Sequence, residues 1–164
     1  MLDIACEIKP HSCCLVPEKR QELTTEGGLD VVSRQTYIES AVKRLHENGI
    51  IVSLFIDPVE EQIQAASDVG SDYIELHTGA YANAEGEAQQ KELDRLREGA
   101  GFATSLGLKV NAGHGIDYEN MAGILTIPHL HELNIGHSIV GRSIEVGIGQ
   151  AVKEMCDLMK AYKL

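Results

Sequence analysis

Residues 107–115 read GLKVNAGHG, and the fold turns on them. Gly107 stands where a helix would end, because glycine tolerates the left-handed backbone that closes many helices. The next residues alternate: Val110 and Ala112 point one way and Asn111 the other, the period of a strand. His114 then follows between two glycines. The same grammar recurs at 70–79, GSDYIELHTG, with Ile74 and Leu76 opposite Glu75 and His77. It recurs at 49–57, GIIVSLFID, and in part at 132–138, ELNIGHS.

Working outward, the pattern predicts strands over 12–17, 50–57, 73–79, 109–114 and 132–137. It predicts helices over 31–47, 59–69, 87–106, 118–125 and 145–162, and the tail of a helix over 1–9. Leu93, Leu96, Ala100 and Ala103 fall on one helical stripe. Ile148, Ala151, Val152, Met155, Leu158, Met159 and Tyr162 fall on another. Both stripes are expected to pack against a sheet. Strand–helix alternation predicts a parallel sheet with right-handed crossovers, either an open doubly wound sheet or part of a barrel. No GxGxxG or Walker sequence follows any strand, which weakens the nucleotide-binding open sheet. The competing arrangement is an antiparallel-like sheet with one solvated face.

Composition sets bounds. The chain has 164 residues, with 14 Lys and Arg against 25 Asp and Glu, a formal net charge of −11. That balance argues against nucleic acid as a partner. Hydrophobic residues make up 43%, enough for a folded domain. No apolar run reaches the roughly 18 residues of a membrane span, so no membrane partner is expected. The first residues lack a signal-peptide pattern, and four cysteines fall in no CxxC pair. They read as reduced, mostly buried thiols of a cytoplasmic protein. A complete eight-unit barrel takes about 250 residues, and at least about 200.

The inward face of the predicted sheet collects Glu75, Asn111 and Asn134 from three successive strands. An unsatisfied buried polar group costs about 1–3 kcal/mol, so three together point to a wet or ligand-filled interior. Ligand sites of parallel α/β folds lie at the C-terminal strand ends. Here these read HTGAY (77–81), NAGHG (111–115) and NIGHS (134–138). His114 suits proton transfer near neutral pH. Backbone N–H groups at Gly136, His137 and Ser138 suit phosphate. A metal held by Glu75, His77, His114 and His137 is the weaker reading, since no ligand-spacing motif supports it; neither metal nor cofactor is expected. The loop EKRQELTTEGG (18–28) has the length and composition of a lid.

LVPEKRQELTTEGGLDV (15–31), VSLFID (52–57), YIELHTGAYA (73–82), GLKVNAGHG (107–115) and ELNIGHS (132–138) together resemble pyridoxine 5′-phosphate synthase. The resemblance implies an incomplete TIM (β/α)8 barrel with about five of its eight parallel strands present, residues 1–164 forming a single domain and its C-terminal part. It implies condensation of 1-deoxy-D-xylulose 5-phosphate with 3-amino-2-oxopropyl phosphate to pyridoxine 5′-phosphate, phosphate and water. His114 resembles the proton donor, Glu75 the carboxylate that stabilises charge in the transition states, and Thr24 a lid ligand of the deoxyxylulose phosphate. Gly115, Gly136 and His137 resemble the site for the amino-oxopropyl phosphate. The implied partners are small phosphorylated substrates and, in the complete enzyme, further copies of the subunit. The family's Asn-x-Asp-His motif, substrate-binding arginines, histidine base and glutamate base have no counterpart here. The expectation is therefore a chain truncated at its N-terminus, with a non-catalytic, phosphate-binding or subunit-associating remnant as the alternative.

Overall fold

Five short strands, each followed by helix, lie side by side in the order in which the chain makes them. The computed structural model describes residues 1–17 and 27–162. Helix α1 (Leu2–Ile8) leads into β1 (Ser12–Leu15). A turn of 3-10 helix (Val32–Arg34) runs into α2 (Gln35–Glu47), then β2 (Ile51–Ile56), α3 (Glu60–Asp68) and β3 (Tyr73–His77). The short α4 (Gly79–Asn83) and long α5 (Gly86–Ser105) precede β4 (Lys109–Gly113). After α6 (Met121–Ile124) come β5 (Leu130–Asn134), α7 (His137–Val146) and α8 (Ile148–Met159).

The sheet is parallel throughout, in the order β1-β2-β3-β4-β5. This excludes the antiparallel-like alternative and gives the α/β arc of a partial barrel. Register places Ser53 beside Tyr73, Glu75 beside Asn111, and Gly113 beside Asn134. One face therefore carries Val52, Leu54, Ile56, Ile74, Leu76, Val110 and Ala112, all fully buried. It packs against Ile38, Val42 and Leu45 of α2, Ile63 and Ala66 of α3, and Leu93, Leu96, Ala100 and Ala103 of α5. The opposite, inward face carries the polar set. The helices end as their glycines require, with φ of 75° at Gly49, 79° at Gly70 and 85° at Gly107.

Several expectations need correction. The helix expected over 145–162 is present as α8, but a further helix, α7, precedes it unpredicted, the two separated by Gly147 at φ 80° and ψ 152°. Gly141 and the β-branched Ile139, Val140 and Ile144 lower the intrinsic helix preference of α7, which hid it. On α8 only Ala151 and Met155 are buried; Ile148, Val152 and Leu158 are exposed. Tyr118 secures that helix by donating its hydroxyl to the Ala151 carbonyl at 2.8 Å. Strand β5 starts two residues earlier than the alternation suggested, because a register irregularity at Val110/Asn111 resets its pairing. The cysteines are all free, but none is fully buried: Cys6 and Cys13 are half-buried, and Cys14 and Cys156 exposed. No helix among the described residues is long and apolar enough to cross a membrane.

Candidate active site

The C-terminal ends of β2 to β5 open into a cleft of about 730 Å³, lined among others by Phe55, Glu75, His114, Gly115, Asp117, Asn134, Gly136, His137 and Ser138. Five of the six residues expected at the site thus meet in one place. The sixth, Thr24, and most of the expected lid lie outside the described residues.

Glu75 is buried on the inward face of β3. Its Oε2 accepts a hydrogen bond from Asn134 Nδ2 at 2.8 Å, and the Cys14 thiol lies 3.6 Å away. Burial pushes its carboxyl above the ordinary range, and Glu132 pushes the same way; the bonds from Asn134 and Cys14 oppose them. Gly113, on the neighbouring strand, leaves room for this carboxylate, since a Cβ there would run into Glu75 Oε1. Although Cys14 as a residue is exposed, its sulfur lies against Glu75 on the inward face, and the thiol is pushed up to about 12, chiefly by desolvation there and then by the Glu75 charge. Asn111 is buried too, and its Oδ1 finds no partner among the described residues.

His114 leaves β4 with φ 74°, an uncommon conformation for a residue with a side chain. Such backbone strain costs of order 1–3 kcal/mol and collects at functional sites. Here Thr78, fully buried, holds it. The Thr78 hydroxyl lies 2.9 Å from the Gly113 carbonyl oxygen and 2.5 Å from that of His114, and its N–H donates to Gly113 at 3.0 Å. Gly115 continues with φ 81°, pressed so closely on α4 that a Cβ would stand 2.7 Å from that of Ala82. Its carbonyl accepts from Asn120 Nδ2 at 2.9 Å, while Asp117 Oδ1 accepts the Glu119 and Asn120 N–H groups. Ser138 donates to the Ile116 carbonyl at 2.8 Å, which fastens the start of α7 to this turn. Gly136 and His137 thereby face Gly115 across the cleft.

Among the described residues the cleft lining contains no lysine or arginine. The groups there suited to an anion are the first N–H groups of α7, which have no partner within the helix, and its positive dipole end. Among the described residues no three His, Cys, Asp or Glu side chains gather as a metal site.

The sequence reading missed Asp57. Its Oδ1 lies 2.9 Å from His77 Nδ1, and its Oδ2 accepts the Gly28 N–H at 3.1 Å. His77 was read as a metal-ligand candidate, yet it turns from Glu75 toward Asp57. The usable signal was positional: Asp57 and His77 end adjacent strands on the same face. Burial pushes the Asp57 carboxyl up, but the bonds from His77 and Gly28 outweigh it and hold the group below the ordinary range.

The family model described as pyridoxal phosphate biosynthesis protein PdxJ matches residues 1–161. The chain belongs to this family. The PdxJ match covers every strand and both cleft walls. Among solved structures, KGPDC from Streptococcus mutans aligns with a TM-score of 0.54 at 17% identity, over 78% of this chain and 57% of that one. At that identity the likeness is one of fold. The chain spans 57% of the length of that structure.

Proposed function

We propose that this site serves the ring-closing condensation of pyridoxine 5′-phosphate synthesis, joining 1-deoxy-D-xylulose 5-phosphate to 3-amino-2-oxopropyl phosphate with release of phosphate and water. One observation carries the reading: His114, Glu75, Gly115, Gly136 and His137 line a single cleft at the C-terminal strand ends. Membership of the PdxJ family supports it. Loss of water during ring closure needs a proton at the departing oxygen. His114, held by Thr78 at the mouth of β4, is the imidazole assigned to deliver it. Glu75 lies inward of it, and its carboxylate is assigned to stabilise positive charge that develops on the amine-derived part of the ring. The α7 N-terminus and the Gly115 turn receive the phosphate of the amino-oxopropyl substrate, with the small residues at 115 and 136 letting it approach the backbone. Thr24 is assigned to the other substrate. The working unit is proposed to be a cytoplasmic homo-oligomer.

A second reading, in which the chain binds phosphates without turnover, rests on the α7 N-terminus, whose free N–H groups suit an anion whether or not the chemistry follows. Assaying product formation from the two substrates, beside calorimetric titration of each, separates the two. The first reading expects turnover, and expects His114→Asn to lower kcat by about 10²–10⁴ with little change in KM. Binding without product supports the second reading, and an Asn variant with normal turnover removes His114 from the proton-donor role.

A further inference from the structure

We propose that Asp57 and His77 form a positioning pair that sets the His114 ring, with Asp57 fixing the tautomer of His77 and His77 buttressing His114. The proposal deepens the reading of His114 as proton donor and rests on it.

The chain of contacts is continuous. Asp57 uses both oxygens as acceptors, one for the Gly28 N–H and one facing His77 Nδ1. A neutral imidazole paired this way carries its proton on Nδ1 and leaves Nε2 bare. His77 is only 5% exposed, and its ring centroid lies 5.1 Å from that of His114 and 5.0 Å from that of Phe55. Phe55 also meets His114 edge-on at 6.3 Å. The two imidazoles converge on Gly79: a Cβ there would stand 2.5 Å from His77 Nε2 and 3.2 Å from His114 Cδ2. Thr78, between His77 and Gly79, grips the His114 carbonyl. Residues 77–79 therefore fix both the backbone and the ring of His114, and the anchor for residue 77 is Asp57 on the next strand.

Histidine-selective nitrogen NMR on the full chain reads the pair without relying on turnover. The expected result is a His77 that carries a proton on Nδ1, facing Asp57, and His114 ring signals that shift or broaden in two variants. Asp57→Asn offers one acceptor oxygen where two are needed. Gly79→Ala pushes on both rings while leaving both Asp57 oxygens in place as acceptors. If Asp57→Asn fails to fold, Gly79→Ala decides, and the wild-type tautomer stands apart from both variants. A His77 with no proton on Nδ1, or His114 signals unmoved in the folded variants, overturns the proposal. In the enzyme assay Asp57→Asn should lower kcat about 10²-fold, as expected for a misplaced reacting group, with KM nearly unchanged. Equal loss in kcat and melting temperature would mark the pair as merely structural and also overturn it. Should His114→Asn keep full turnover while the variants still move the His114 signals, the proton-donor reading has failed and the positioning has not.

Discussion

On Glu75 the proposed chemistry and the stability of the fold make opposite demands. Its carboxyl is held above the ordinary carboxylate range, first by burial. The folded state thus holds this proton more tightly than the unfolded state does. Stability contributed by the protonated form is complete below the unfolded value and is lost as pH rises toward the folded one. Glu75→Gln has no such proton to lose and keeps an oxygen for Asn134 Nδ2. The variant should melt higher than wild type at neutral pH, the gap widening as pH rises through the ordinary carboxylate range. Its turnover should fall by about 10² or more, the usual loss when a charge-stabilising group is removed. Thermal melts across pH, set beside the assay, check both halves. A variant less stable at neutral pH would show that the hydrogen bonds of the carboxylate outweigh its burial.

The strand-end turns are where element geometry and chemistry meet. Gly115 combines φ 81° with near-contact to Ala82, whereas the Cβ position at Gly136 is open space. Gly115→Ala should therefore destabilise by about 1–3 kcal/mol, lowering the melting temperature by several degrees. Gly136→Ala should cost at most about 1 kcal/mol, the range for helix caps, so a larger loss of phosphate binding in that variant would be local to the site. Side-by-side melts and titrations distinguish the two. Much of this was legible in advance. Period-two alternation exposed β2, β3 and β4, and the inward set Glu75, Asn111 and Asn134 follows from parity alone. Helix α7 was not legible, because its β-branched residues and Gly141 speak against helix and only the turn after Gly136 imposes it. The short α4 was hidden for a similar reason: HTGAY reads as a strand end, and Thr78 bends the chain through contacts with β4 that no local pattern encodes. The Asp57–His77 bond joins two strands, so neither residue's neighbours in sequence announce it.

At the scale of the whole molecule, two features pull against each other. Among the described residues β1 and β5 each present one unpaired edge, a template for further pairing. Helix α7 buries no residue and exposes Val140 at 60% and Ile144 at 86%, with Ile148 of α8 at 59%. The net charge of −11 opposes association. Salt screens charge and leaves apolar contact intact, so self-association should grow with both protein concentration and ionic strength. Ile144→Lys should reduce it without lowering the melting temperature, since that side chain is almost wholly exposed. Sedimentation at low and high salt tests this; association that weakens as salt rises would point to charge pairing instead. The strand order has a consequence of its own. Every strand bonds only to its neighbours in the chain, so each new βα unit leaving the ribosome can zip onto the one before it. Unzipping runs the same way in reverse: deuterium should enter the amides of β1 and β5 first and those of β3 last.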